Sequence, residues 1–162
     1  NTCVSAVNSL KDLKNIKYLT VHINGGYEML KAIKKETKKI NKNIKILGVT
    51  VLTSFSEKSL RKTGHTKSIK DLVIHQAKLA KLAGLDGIVC SPEEIKFVKK
   101  ICRTIEIITP GIRLPNDSSN DQKRFTTPKN AFNNGATAIV IGRSITQGLI
   151  KNNLQRLIKS LN

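Results

Sequence analysis

The chain has no tryptophan, two tyrosines and four phenylalanines among 162 residues, which argues against the stacking surfaces that single-strand nucleic-acid binders use. Acidic residues are also few, 11 Asp and Glu against 29 Lys and Arg, giving a formal net charge of +18. No apolar run approaches the roughly 18 residues a membrane-spanning helix requires. The N-terminus lacks the charged-then-apolar layout of a secretory signal. Cysteine is limited to Cys3, Cys90 and Cys102, an odd number at unrelated spacings that offers neither a disulfide framework nor a paired metal knuckle. These absences lead to the expectation of a soluble, cytoplasmic protein with no metal site. With 39% hydrophobic residues and only four prolines, the composition excludes collagenous and wholly disordered polypeptides and fits one domain over residues 1–162.

The positive charge is spread rather than clustered. Lys31, Lys34, Lys35, Lys38 and Lys39 recur at helical spacing and are expected on a solvated face, so contact with nucleic acid is expected to be nonspecific at most. The first residue is Asn1 and the single methionine, Met29, lies inside a helical pattern, so a piece of a longer or processed chain is expected.

Hydrophobic periodicity alternates between two templates along the chain. A helical opening at about 3 to 13 precedes the apolar run 18–23, then Gly25–Gly26 and an amphipathic helix over about 27–40. The β-branched run Ile44 to Leu52 reads as a buried strand. A loop with a short helix (54–62) leads to a helix from Ser68 to Ala83, capped by Ser68 with Asp71 at the capping-box position and closed by Gly84. Asp86 to Cys90 is a third strand, and Pro92 starts a helix at its favoured first-turn position. Glu106 to Thr109 is a fourth strand. A polar loop (110–126), a short helix from Pro128, a strand from Thr137 to Ile141 and helical segments from Ser144 and Asn152 complete the chain.

Five strands each followed by a helix describe β/α units around a parallel sheet. Periodicity alone leaves two architectures open: a five-stranded doubly wound sheet, or about five of the eight units of a (β/α)8 barrel. Loop chemistry separates them. Residues 110–126 exceed the usual connection length, and such loops generally serve a function. They carry Pro110-Gly111-Ile112-Arg113 and Gln122, and the next strand ends in Gly142-Arg143-Ser144. Guanidinium groups, an amide and backbone N–H groups at two consecutive strand ends describe a phosphate site, and in (β/α)8 barrels the last two loops are its usual position. The competing reading is a pair of ordinary surface arginines.

Six segments, Val21-His22-Ile23-Asn24-Gly25-Gly26, Val49 to Ser54, Asp86 to Ser91, Thr109 to Arg113, Asp121-Gln122 with Thr127-Pro128, and Ile141 to Gln147, resemble in order the motifs of the orotidine 5'-phosphate decarboxylases, specifically the short bacterial type. The resemblance implies an α/β fold in which this chain supplies about the last five units of a (β/α)8 TIM barrel. It also implies decarboxylation of orotidine 5'-phosphate to UMP in pyrimidine biosynthesis, without cofactor, by a homodimer when complete. Carried over residue by residue, the phosphate ligands are Arg113, Gln122, Gly142 and Arg143, with Pro110 in the same loop; Thr53 and Ser54 lie at the pyrimidine ring, and Thr2 is a further substrate contact. His22 matches a structural position, and Ile23-Asn24 replace the usual Ala-Ser. Cys90 is read as a core residue rather than a nucleophile, and His65 and His75 as solvent or packing residues.

The family's Asp-x-Lys-x-x-Asp-Ile-Pro-Asn-Thr motif is matched only by its last two residues, Asn1-Thr2. The resemblance therefore implies that the catalytic lysine and aspartates lie upstream of Asn1. Asp12-Leu13-Lys14 and Asp121-Gln122-Lys123 lack the second aspartate and read as coincidence. The sequence thus leaves three functions in play: part of a decarboxylase, an inactive remnant that keeps a nucleotide-phosphate site, or a basic binding module. It also leads to the expectation that five strands alone leave raw edges and an exposed apolar inner face.

Overall fold

The runs of isoleucine and valine that cannot be buried in a helix stripe become strands, and the computed structural model, which describes residues 1–115, 117 and 124–161, places them side by side in one sheet. The order is β1 (Tyr18–His22), β2 (Lys45–Val49), β3 (Gly87–Val89), β4 (Glu106–Thr109) and β5 (Ala138–Ile139), every neighbouring pair parallel. Each strand lies beside its predecessor without a reversal. A doubly wound sheet of the flavodoxin kind reverses at a switch point, so this order is that of a singly wound arc, as in a barrel.

Between the strands run α1 (Thr2–Asn8), α2 (Gly26–Ile40), α3 (Glu57–Lys62), α4 (Ile69–Leu82), α5 (Ile95–Ile101), α6 (Pro128–Asn133), α7 (Arg143–Thr146) and α8 (Ile150–Leu161). One sheet face packs against helices: Ile46, Ile88 and Ile107, all fully buried, join Leu30 and Ile33 of α2, Val73 and Ala77 of α4 and Val98 of α5 in a single core. Helix starts are fixed by side-chain caps. The Ser56 and Ser59 hydroxyls each accept the other's backbone N–H at α3, Ser68 accepts from Asp71 N at α4, and Thr127 accepts from Asn130 N at α6.

Several expected boundaries move. The opening helix stops at Asn8, because the Ser9 hydroxyl donates to Ala6 O and the chain continues to Leu13 in tighter turns. The second strand spans Lys45–Val49 rather than Ile44 to Leu52, its last residues leaving the ladder to shape a loop. Pro92 opens a 3-10 turn, Pro92–Glu94, ahead of α5. The fifth strand shortens to two residues, although Thr137 N to Ile107 O and Val140 N to Thr109 O continue its pairing on either side. Lys34 is not on the solvated face expected for it; its ammonium is tucked against Asp86 as an ion pair.

The second sheet face is not the bare apolar surface expected of an isolated arc. Register puts Thr20, Leu47, Gly87 and Glu106 in one row across four strands, with Tyr18 and Lys45 paired two residues before Thr20 and Leu47. Lys45 pairs with Glu106, which also accepts from Tyr18 Oη at 2.8 Å. Gly87 lies between Leu47 and Glu106 in their row, and a Cβ there would sit 3.0 Å from Glu106 O and 2.5 Å from Leu47 Cδ2. Leu47 in this row and Ile108, two residues beyond it on β4, are buried.

Candidate functional site at the strand ends

Because all five strands are parallel, their C-terminal ends share one rim, and the loops that leave it carry most of the residues expected to bind a ligand. After β4 the chain turns through Pro110 and Gly111, whose φ of 78° needs the freedom of glycine. It then returns on itself: Thr126 N donates to Gly111 O at 3.0 Å and Arg113 N to Thr126 O at 2.9 Å. This bridge pins both ends of the loop close to the sheet.

Arg113 is only 6% exposed. Its Nη1 donates to Ile112 O at 3.1 Å, while Nη2 is buried without a hydrogen-bond partner among the described residues. A buried guanidinium with a spare donor is costly to leave unpaired, and an anion would satisfy it. Arg113 lines a cavity of about 320 Å³ with Asp117, Phe125, Thr127 and Asn130. Thr109, at the end of β4, likewise has a buried hydroxyl with no partner among the described residues.

At the end of β5, Gly142 caps α7 and Arg143 begins it. Nothing lies within 4 Å of where a Gly142 Cβ would stand, so the backbone there is open to close approach. Arg143 is half-buried and is not among the residues lining the Arg113 cavity. The two loops are nevertheless tied together. Arg156 of α8 donates to Pro115 O at 3.0 Å and Asp117 Oδ1 at 2.6 Å, and Asn153 Nδ2 donates to Ile145 O and Gln147 O. Burial works to raise the Asp117 pKa, but the nearby Ser144 hydroxyl and Arg156 outweigh it and hold the carboxyl below its usual value.

Thr53 and Ser54 lie in the turn after β2, closed by Phe55 N donating to Leu52 O at 3.0 Å; Thr53 is half-buried and Ser54 exposed. Thr2 is exposed at the start of α1 and faces the first turns of α2 across a cavity lined by Glu28, Met29 and Ala32. It is not brought to the cavity that Arg113 lines. Gln122 lies outside the described residues. Cys90 is buried in the core, and burial pushes its thiol pKa up, which fits a packing residue and not a nucleophile. Asn24 accepts from Gln76 Nε2 at 2.7 Å, so it ties the end of β1 to α4. Asp12 and Lys14 are exposed in turns ahead of β1, on the opposite end of the sheet from the rim.

One pair at the rim escaped sequence reasoning. Arg124 and Glu94, 30 positions apart, form an ion pair buried between the loops after β4 and β3. Burial pushes the Glu94 pKa up despite Arg124 and the Ser91 N–H. The only sequence signal was the Ser91-x-x-Glu94 spacing after a strand, which marks a helix start and says nothing about Arg124. Among the described residues no group of three or more His, Cys, Asp or Glu could hold a metal ion, and no helix is long and apolar enough to cross a membrane.

Comparison with known proteins meets this geometry. Residues 1–149 match the sequence profile of the orotidine 5'-phosphate decarboxylase / HUMPS family. The chain is 44% identical over 163 residues to the orotidine 5'-phosphate decarboxylase of Fusobacterium nucleatum subsp. nucleatum, covering 99% of this chain and 68% of that one. It is 47% identical over 148 residues to that of the Wolbachia of Culex pipiens, covering 91% and 64%. The crystal structure of orotidine 5'-phosphate decarboxylase from Lactobacillus acidophilus superposes with a TM-score of 0.83 at 34% identity, over 100% of this chain and 70% of that one. An uncharacterized conserved protein from Geobacillus kaustophilus follows at 0.80 and 29%, over 100% and 71%. The chain thus spans about two thirds of the length of the relatives it matches. With residues 1–149 matched to its profile and five units of a (β/α)8 barrel in place, the chain belongs to the orotidine 5'-phosphate decarboxylase family.

Proposed function

We propose that the chain serves as the C-terminal part of an orotidine 5'-phosphate decarboxylase, holding the nucleotide while charges contributed by upstream β/α units act on the reacting carbon. The observation that carries this reading is the spare, buried Nη2 of Arg113 at the end of β4, beside the strand whose end presents open Gly142 and Arg143. In this reading Arg113, Gln122, Gly142 and Arg143 hold the phosphate, Pro110 shapes their loop, and Thr53 and Ser54 meet the pyrimidine. Thr2 is read as a further substrate contact.

The chemistry then divides cleanly. Loss of carbon dioxide leaves a carbanion that must take a proton, and the family motif supplies a lysine for that step and aspartates that place it. This sequence contains no Asp-x-Lys-x-x-Asp run. Phosphate contacts contribute remote binding energy, which speeds reaction only where groups at the reacting centre stabilise the transition state. The working protein is read as a cytoplasmic homodimer acting without a cofactor.

The experiment compares two proteins: residues 1–162 alone, and the same residues joined in frame to the N-terminal β/α units of the Fusobacterium nucleatum relative. The joined chain is expected to turn over orotidine 5'-phosphate, and residues 1–162 alone to show no turnover above background. Substantial activity of the short chain would place the proton donor within it. A joined chain that binds UMP yet never turns over would identify an inactive remnant.

A further inference from the structure

Three consecutive strand ends meet at one side chain. Arg124, 7% exposed, closes the loop after β4; its Nη1 donates to Glu94 Oε1, and its Nη2 donates to Leu52 O at 2.8 Å, at the end of the β2 loop. Glu94, 2% exposed, accepts from Ser91 N at 2.9 Å through its other oxygen, just past β3. A buried ion pair is a poor device for stability, since apolar side chains of similar volume often serve as well. It does fix direction, because a planar guanidinium satisfied on two sides admits few orientations.

Leu52 O is also the acceptor for Phe55 N, so Arg124 holds the carbonyl on which the Thr53–Ser54 turn hangs. The Arg113 side is fastened separately, by the bridge between Ile112 and Thr126. We infer that Arg124, oriented by Glu94, is a positioning residue that sets the Thr53–Ser54 turn relative to the loop after β4, so that base and phosphate of one nucleotide are met at a fixed spacing. The inference rests on the nucleotide reading proposed above.

The test replaces the pair by isosteric apolar side chains, Glu94→Met with Arg124→Met, a change that leaves no unpaired buried charge. The fold should survive, with hydrogen exchange at Ile46, Ile88 and Ile107 unchanged, while the Phe55 amide exchanges at least about 10-fold faster as the turn loosens. UMP should bind about 10- to 100-fold more weakly, and inorganic phosphate should change by less than about threefold, because its loop keeps its own bridge. Unchanged Phe55 exchange, intact UMP affinity, or equal loss of UMP and phosphate would each overturn the assignment. If the double variant does not fold, Arg124→Lys keeps the charge beside Glu94 but removes the second arm, and the same exchange measurement decides. Failure of the nucleotide reading is distinguishable: the unmodified chain would bind neither UMP nor phosphate, while Phe55 exchange still reports on the strut.

Discussion

The two ends of the sheet are both polar, but their polar groups are used differently. At the end where the strands begin, charges are matched to one another: Lys45 with Glu106 and Tyr18, and Lys34 with Asp86, which also accepts Ile46 N at 2.7 Å. At the rim where the strands finish, Arg113 Nη2 and Thr109 Oγ1 are buried without partners among the described residues, and Gly142 is open. A satisfied cluster holds strands in register; unsatisfied donors on a rigid frame are available to a ligand. The rim has its own framework as well, since Arg124–Glu94 and Arg156–Asp117 brace the loops that carry those donors.

The largest contrast should come from breaking one ion pair at each end. Arg124→Ala leaves Glu94 buried without its cation and is expected to cost about 3–5 kcal/mol in urea unfolding. Lys45→Ala removes a half-exposed partner whose loss water can compensate, and its urea midpoint should barely move. Equal losses would mean that burial does not distinguish the two ends.

Glycines sharpen the comparison further. Gly87→Ala forces a methyl against Leu47 and the Glu106 carbonyl, so a loss of about 1–3 kcal/mol is expected from overpacking. Gly142→Ala meets nothing in the structure. It should melt like the parent chain yet bind inorganic phosphate more weakly in calorimetry, since the methyl occupies the approach to the backbone.

Acid titration gives the smallest effect and a difference of sign. At Glu106 burial favours a higher pKa, but Lys45 and Tyr18 outweigh it and the carboxyl titrates below its ordinary value. Its stabilisation is present above the usual carboxylate range and is lost as pH falls through the depressed value. Glu94, raised by burial, behaves oppositely: its contribution is full below the usual range and declines as pH rises through the raised value. Melting temperatures between about pH 3 and 7 should therefore fall on acidification, less steeply in Glu106→Gln and more steeply in Glu94→Gln.

Much of this frame was legible in the sequence because burial leaves a periodic record. The run at 44–52 read as a buried strand and holds one over Lys45–Val49, and the spacing of Leu72, Val73, Ala77 and Ala80 read as the helix that packs them on one face. Arg113 and Gly142-Arg143 were visible because scarce arginines fell just after strands. The order of the strands was not legible in periodicity, since a local pattern contains no record of which neighbour a strand chooses; it followed from the loop chemistry and the family resemblance. Lys34 defeated periodicity because its partner, Asp86, stands 52 positions away. Arg124 was hidden in a polar loop for the same reason: nothing nearby in sequence announces that Glu94 and the Leu52 carbonyl close around it.

If the rim binds a nucleotide through its phosphate, as proposed, titration calorimetry of UMP against the chain and its Arg143→Ala variant will show it. Loss of a charge-assisted contact should weaken binding by about 1.5–3 kcal/mol. UMP affinity that is the same in both proteins would place the nucleotide elsewhere.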